Sequence, residues 1–128
     1  MKIKKFEEIE SWKKARQLTN QIYETTTTGK FARDFGLRDQ MRRASISILS
    51  NIAEGFERGG DKEFLQFLAM AKGSCGEVRT QLYIAFEQHY LSKELFEQLV
   101  ESAAEVSRLL SGFMKYLSDS AFRGSKFR

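Results

Sequence analysis

Between Leu37 and Phe56 the chain carries two apolar stripes where an ordinary surface helix carries one. Leu37, Met41, Ala44, Ile48 and Ile52 recur at spacings of three and four and line one helical face. Ile46, Leu49, Ala53 and Phe56 form a second stripe, turned by roughly a third of a circle at about 3.6 residues per turn. A helix covered by a single layer needs only the first. The second therefore predicts a further partner, with Ile46, Leu49, Ala53 and Phe56 as the expected oligomer interface. Gln40, Arg43, Ser47, Asn51 and Glu54 occupy the remaining face.

Three more helices follow from the same periodicity. The first spans about Ile9 to Thr25, with Trp12, Ala15, Leu18 and Ile22 on one side, and fades in a β-branched run closed by Gly29. A loop holding Phe31 and Phe35 leads to the second helix, from about Leu37 to Glu54, with Gly55 as an end signal and Gly59-Gly60 as a further break. Asp61 is the expected N-cap of the third, which carries Phe64, Phe67, Leu68, Ala71, Cys75, Val78, Leu82, Ala85 and Phe86 on its stripe and continues to about Tyr90. Gly73 and Gly76 lie inside it. Each costs up to ~1 kcal/mol against alanine, and close helix-helix approach is the expected reason for them. Ser92 caps the fourth helix, which carries Leu95, Leu99, Ala103, Val106, Leu110, Phe113 and Leu117 and ends near Ser118. Short loops make sequential helices antiparallel. The predicted architecture is all-α, an up-down-up-down four-helix bundle over residues 1–118, followed by a loose basic tail over 119–128.

Composition narrows the function classes. With 128 residues the chain suits one domain with a real core, and the absence of proline permits long unbroken helices. A single cysteine, Cys75, excludes an internal disulfide and suits a reducing cytoplasm. The opening residues contain no apolar segment of the secretory type, and no apolar run approaches the ~20 residues that span a bilayer. A cytoplasmic protein with no membrane partner is expected. Gly55 to Gly60 lacks the preceding strand and the Gly-Lys-Ser/Thr of a phosphate loop. The only histidine, His89, follows Phe86 at the third position, not a glutamate, so the metal-binding bundle motif is missing; it falls on the core stripe and reads as a partly buried structural residue. Cys75 reads as a small buried hydrophobe. No catalytic residue, metal or cofactor is expected, and the chain reads as not an enzyme.

Charge adds a weak pointer to partners. The formal net charge is +4, and the basic residues cluster at Lys2, Lys4 and Lys5, at Lys13, Lys14 and Arg16, at Arg38, Arg42 and Arg43, and at Arg123, Lys126 and Arg128. Glu94, Glu97, Glu101 and Glu105 gather on the fourth helix. Composition alone favours a solvated mixed-charge surface. The candidate nucleic-acid contacts are Lys13, Lys14, Arg16, Arg38, Arg42, Arg123, Lys126 and Arg128. Tyr83, Tyr90, Phe122 and Phe127 are possible base-stacking rings, though packing is the commoner role. The inner polar residues Arg43, Asn51, Glu54 and Glu77, with Ser47, Ser74 and Gln81, read chiefly as an interhelix or intersubunit network in which Arg43 pairs with Glu54 or Glu77; a ligand or RNA surface is the second reading.

The run Gly36-Leu37-Arg38-Asp39-Gln40-Met41-Arg42-Arg43-Ala44, continued by Ser47-Ile48 and Asn51-Ile52-Ala53-Glu54-Gly55, resembles the signature of the four-helix bundle proteins encoded in intervening sequences of bacterial 23S ribosomal RNA genes. Trp12, Ala15, Arg58 and the stretch from Phe64 through Ala71-Lys72-Gly73-Ser74 to Glu77 extend the likeness over about residues 6 to 118. That family includes the accessory protein of diversity-generating retroelements. The resemblance implies a homo-oligomer, a ring of five bundles, that binds RNA or DNA and partners a reverse transcriptase; a protein-interaction scaffold with little nucleic-acid affinity is the alternative. Where the family often carries proline near position 49, this chain has Leu49, which should leave the second helix straighter.

Overall fold

The computed structural model describes residues 3–126, with side chains described through residue 120. A short 3-10 turn at Phe6–Glu8 leads into α1, Glu10–Thr25, then α2, Gly29–Arg33, α3, Phe35–Arg58, α4, Asp61–Glu87, and α5, Lys93–Lys126. The four long helices pack as an antiparallel bundle, α3 against α4, α4 against α5, and α1 against both α3 and α5. No strand occurs among the described residues, and no helix there is long and apolar enough to cross a membrane.

The core is built from the stripes that the periodicity picks out. Ala15, Leu18 and Ile22 of α1 meet Met41, Ile48 and Ile52 of α3, Leu68, Cys75, Val78 and Leu82 of α4, and Leu99, Val106 and Leu110 of α5, all buried. The second stripe of α3 is only partly a free face. Phe56 packs edge-on against Phe64 with ring centroids 6.1 Å apart, and Leu49 packs against the same core. Ala53 is half-buried, so Ile46, at 42 % exposure, is the member left open. A helix with neighbours on two sides within its own chain already requires two apolar flanks, so the stripe alone does not require sister copies.

Several boundaries differ from expectation for identifiable reasons. Gly55 does not end α3. It sits buried inside the helix where a Cβ would lie 2.7 Å from Phe67 Cβ and 2.8 Å from Phe64 Cδ1, so α3 and α4 approach closely there. Gly59, with φ of 83°, supplies the left-handed stop. Gly73 and Gly76, expected at a close approach, face open space. Gly60 is the N-cap of α4, and Asp61 is its first residue, where a carboxylate still favours the helix N-terminus. Ser92 does cap α5, its Oγ accepting from Leu95 N at 3.1 Å.

His89 is exposed, not on the core stripe: it follows the end of α4 in the left-handed conformation, φ 65°. The bonds Tyr90 N to Ala85 O and His89 N to Phe86 O, both 2.9 Å, make this a Schellman closure with histidine where glycine is usual. The backbone of α5 continues to Lys126 instead of ending near Ser118. Cys75 is fully buried, and burial pushes its thiol pKa up to about 12, with Arg79 acting weakly in the opposite sense.

Candidate nucleic-acid interface

The connection between α1 and α3 creates the site. Thr26 to Thr28 end α1, with the Thr26 hydroxyl turned back to the Ile22 carbonyl at 2.7 Å. The buried ring of Phe31 anchors α2, lying 5.2 Å from the Tyr90 ring. Asp34 then caps α3 by accepting from Leu37 N at 3.2 Å, and its other carboxylate oxygen accepts from the Tyr90 hydroxyl at 2.9 Å. That bond holds the Tyr90 phenol above its ordinary pKa, and partial burial adds to the effect.

Two arginines fasten this connection from α3. Arg42 donates from Nε to Thr26 Oγ1 at 2.9 Å, and its guanidinium lies 4.5 Å from the Tyr23 ring centroid. Arg38 donates from a terminal nitrogen to the Ala32 carbonyl at 3.0 Å, pairs through Nε with Asp39 at 2.9 Å, and lies 4.8 Å from the Phe35 ring. The Phe35 ring is 62 % exposed. Phe35, Arg38 and Arg42 fall at i, i+3 and i+7 and so share a face. Lys30 and Arg33 project from α2 beside Ala32, exposed and with no ion pair among the described residues. The result is a cationic surface interleaved with accessible rings. A shallow depression of about 340 Å³ between Tyr23, Asp39, Arg42, Arg43 and Ile46 adjoins it.

The other expected contacts lie elsewhere. Lys13 and Arg16 share a second depression with Trp12, roughly 15–20 Å further along α1 from its C-terminal end. Lys13 pairs with Glu10 at 3.3 Å, and Arg16 lies 5.9 Å from the Trp12 ring. Lys14 turns to α5 and meets Glu105 at 3.7 Å. The side chains of Arg123 and Lys126, and Arg128 altogether, lie outside the described residues. Tyr83 is exposed with its edge on Phe96, whereas Tyr90 is committed to Asp34 and Phe31. Phe122 and Phe127 fall outside the described side chains.

The expected polar network exists in reduced form. Asn51 donates to the Ser47 carbonyl at 2.9 Å and to Ser47 Oγ at 3.0 Å, and Ser74 Oγ lies 3.0 Å from Ser47 Oγ. Arg43 pairs with neither Glu54 nor Glu77. Glu54 is taken by Arg58 one turn on, at 2.9 Å, because that i,i+4 partner is nearer than a residue three turns away. Among the described residues no group of three metal-ligating side chains comes together.

Sequence reading missed Lys30, Arg33, Tyr23 and Phe35 as parts of one surface. The Phe35-Arg38-Arg42 spacing was visible, but only a helix beginning at Phe35 instead of Leu37 brings the ring into register. The pairing of Tyr23 with Arg42 depends on the path of the connection.

The family model for the 23S rRNA-intervening sequence protein matches residues 7–112. The chain belongs to that family. No curated protein matches it. A similar solved structure is the crystal structure, at 1.70 Å resolution, of a protein of unknown function from the S23 ribosomal protein family of Bacteroides thetaiotaomicron VPI-5482. It superposes with a TM-score of 0.76 at 21 % identity, over 82 % of this chain and 95 % of that one. At that identity the likeness speaks for the bundle. The intervening-sequence family match covers both the stapled connection and the Ser47–Asn51–Ser74 network.

Proposed function

We propose that this intervening-sequence family member is a non-enzymatic, homo-oligomeric bundle that binds RNA or DNA at the α1–α3 end. The supporting observation is the pairing of cations with exposed rings there: Arg42 over Tyr23 and Arg38 over Phe35, flanked by Lys30 and Arg33. Phosphates are attracted by the cations without regard to sequence, and unpaired bases stack on aromatic and guanidinium planes. A protomer with a net charge of +4 binds weakly alone, whereas repetition around a ring adds the contacts through effective concentration.

Anisotropy titration of a labelled single strand tests this reading. Binding at low salt that weakens steeply with added salt is expected, and Lys30→Gln with Arg33→Gln should weaken it about tenfold and flatten the salt slope by roughly one unit per lost phosphate contact. Absence of binding at low salt, or an unchanged affinity in the double variant, overturns it. Sedimentation of a lone subunit at micromolar concentration removes the oligomer.

A protein-interaction scaffold is the second reading, favoured by the outer face of α4. There Met70 and Tyr83 are each 51 % exposed and Ile84 is also open, around the bare backbone of Gly73 and Gly76. A defined partner, such as a reverse transcriptase, that stays bound after RNase treatment would support it.

A further inference from the structure

Phe35 is the most exposed large hydrophobic residue among those described. It does not belong to a greasy patch. Its neighbours along the chain and across the connection are Lys30, Arg33, Asp34 and Arg38, all polar. Lysine and aspartate are depleted from the cores of protein interfaces, so a sister copy or another protein is a poor cover for this ring.

One side of the ring is already furnished. The Arg38 guanidinium lies 4.8 Å from its centroid and is held by two further bonds, from Nε to Asp39 at 2.9 Å and from a terminal nitrogen to the Ala32 carbonyl at 3.0 Å. Only 25 % of the Arg38 side chain is exposed. A guanidinium held in this way is a fixed plate, so the ring beside it loses little freedom when a second flat group arrives. The next residue, Gly36, adds no side chain, and a Cβ built there would meet nothing nearer than Asp34 Oδ1 at 4.0 Å. The adjoining carboxylates are spoken for: Asp34 by Leu37 N and the Tyr90 hydroxyl, Asp39 by Arg38. Lys30 and Arg33 have no such partner among the described residues and stay available to an anion. Tyr23 is less suited to a ligand, because its ring is less exposed and its arginine, Arg42, is tied to Thr26.

We infer that Phe35 is the stacking platform for one unpaired nucleobase, with Lys30 and Arg33 taking the neighbouring phosphates. This rests on the nucleic-acid reading above and adds a contact that the cations alone lack. Phosphates are offered by single strands and duplexes alike. The faces of paired bases are covered by their neighbours in the stack, so only a single strand can use the ring.

Anisotropy at low salt tests this on the full chain with three probes: an oligothymidine strand, a fully abasic strand of the same length and charge, and a long duplex. Wild type should bind the thymidine strand about tenfold more tightly than the abasic one, the effect of one stacked base. Phe35→Leu keeps an apolar side chain on an exposed position. It should weaken the thymidine strand about tenfold with an unchanged salt slope, and leave the abasic strand and the duplex as they were. Phe35→Tyr should retain wild-type affinity for all three. Equal binding of thymidine and abasic strands by wild type overturns the platform and leaves the nucleic-acid reading standing. So does a Phe35→Leu variant that changes no probe, or weakens all three alike. Failure to bind any probe overturns both together.

Discussion

The two ends of the bundle are closed by different physics. Where α3 finishes, Phe56, Phe64 and Phe113 interlock edge to face, with centroids 6.1 and 5.4 Å apart, and Gly55 lets α4 approach until no Cβ fits. Where α3 begins, the closure is polar: Arg42 to Thr26, Arg38 to the Ala32 carbonyl, and Tyr90 to Asp34. Apolar packing resists change of shape but offers a partner nothing once buried. Polar staples hold a short connection in place while leaving cations and rings in water. The difference separates an end closed by buried packing from an end held by polar staples, and it is the second that the proposed function assigns to nucleic acid.

Substitutions that reverse this ranking would break it. Phe64→Ala should be the most damaging, about 3–5 kcal/mol by chemical denaturation, since the ring is buried between two others. Gly55→Ala follows at about 1–3 kcal/mol, because overpacking against Phe64 and Phe67 outweighs the helix-propensity gain. At the polar end Tyr90→Phe should cost far less, a small shift of the denaturation midpoint from the loss of one side-chain hydrogen bond. A loss as large as that of Phe64→Ala would mean that the two ends do not differ.

The same bond has a pH signature. The folded phenol is held above its ordinary range by donating to Asp34, so it is the protonated form that stabilises. That contribution is complete below the free tyrosine value near ~10 and is lost as pH rises through the raised folded value. Denaturation midpoints of wild type and Tyr90→Phe should therefore converge at high pH. The smallest effect is of opposite sign: Gly73→Ala, facing open space in a helix, should stabilise by about 0.5–1 kcal/mol. A loss of stability, or of assembly, would show that something packs on that face.

How legible was this in the sequence? The four long helices and their buried stripes follow from spacing, because every core position must face inward whatever the loops do. Leu18, Ile48, Val78 and Leu110 are all found there. Glycines were harder, since a glycine looks the same at a stop, a close approach or an open face. For that reason Gly55 turned out to hold the close approach expected of Gly73, while Gly73 faces open space and Gly59 is the stop. His89 matched the apolar period by position, but the helix had already ended at Glu87. Arg43 was the most instructive miss. Spacing put it on a helix face with Glu54, and only the three-dimensional arrangement shows that Arg58 claims that carboxylate, leaving Arg43 across from Glu77.

Each long helix packs on the next in sequence, while α1 also rests on α5, so the first and last segments complete the bundle together. With no proline to isomerise, folding of the single bundle should finish within milliseconds, and any slower phase should depend on protein concentration, as assembly of copies does. On the ribosome, however, α1 can meet α3 early, whereas the side of α1 that faces α5 stays uncovered until that helix has emerged.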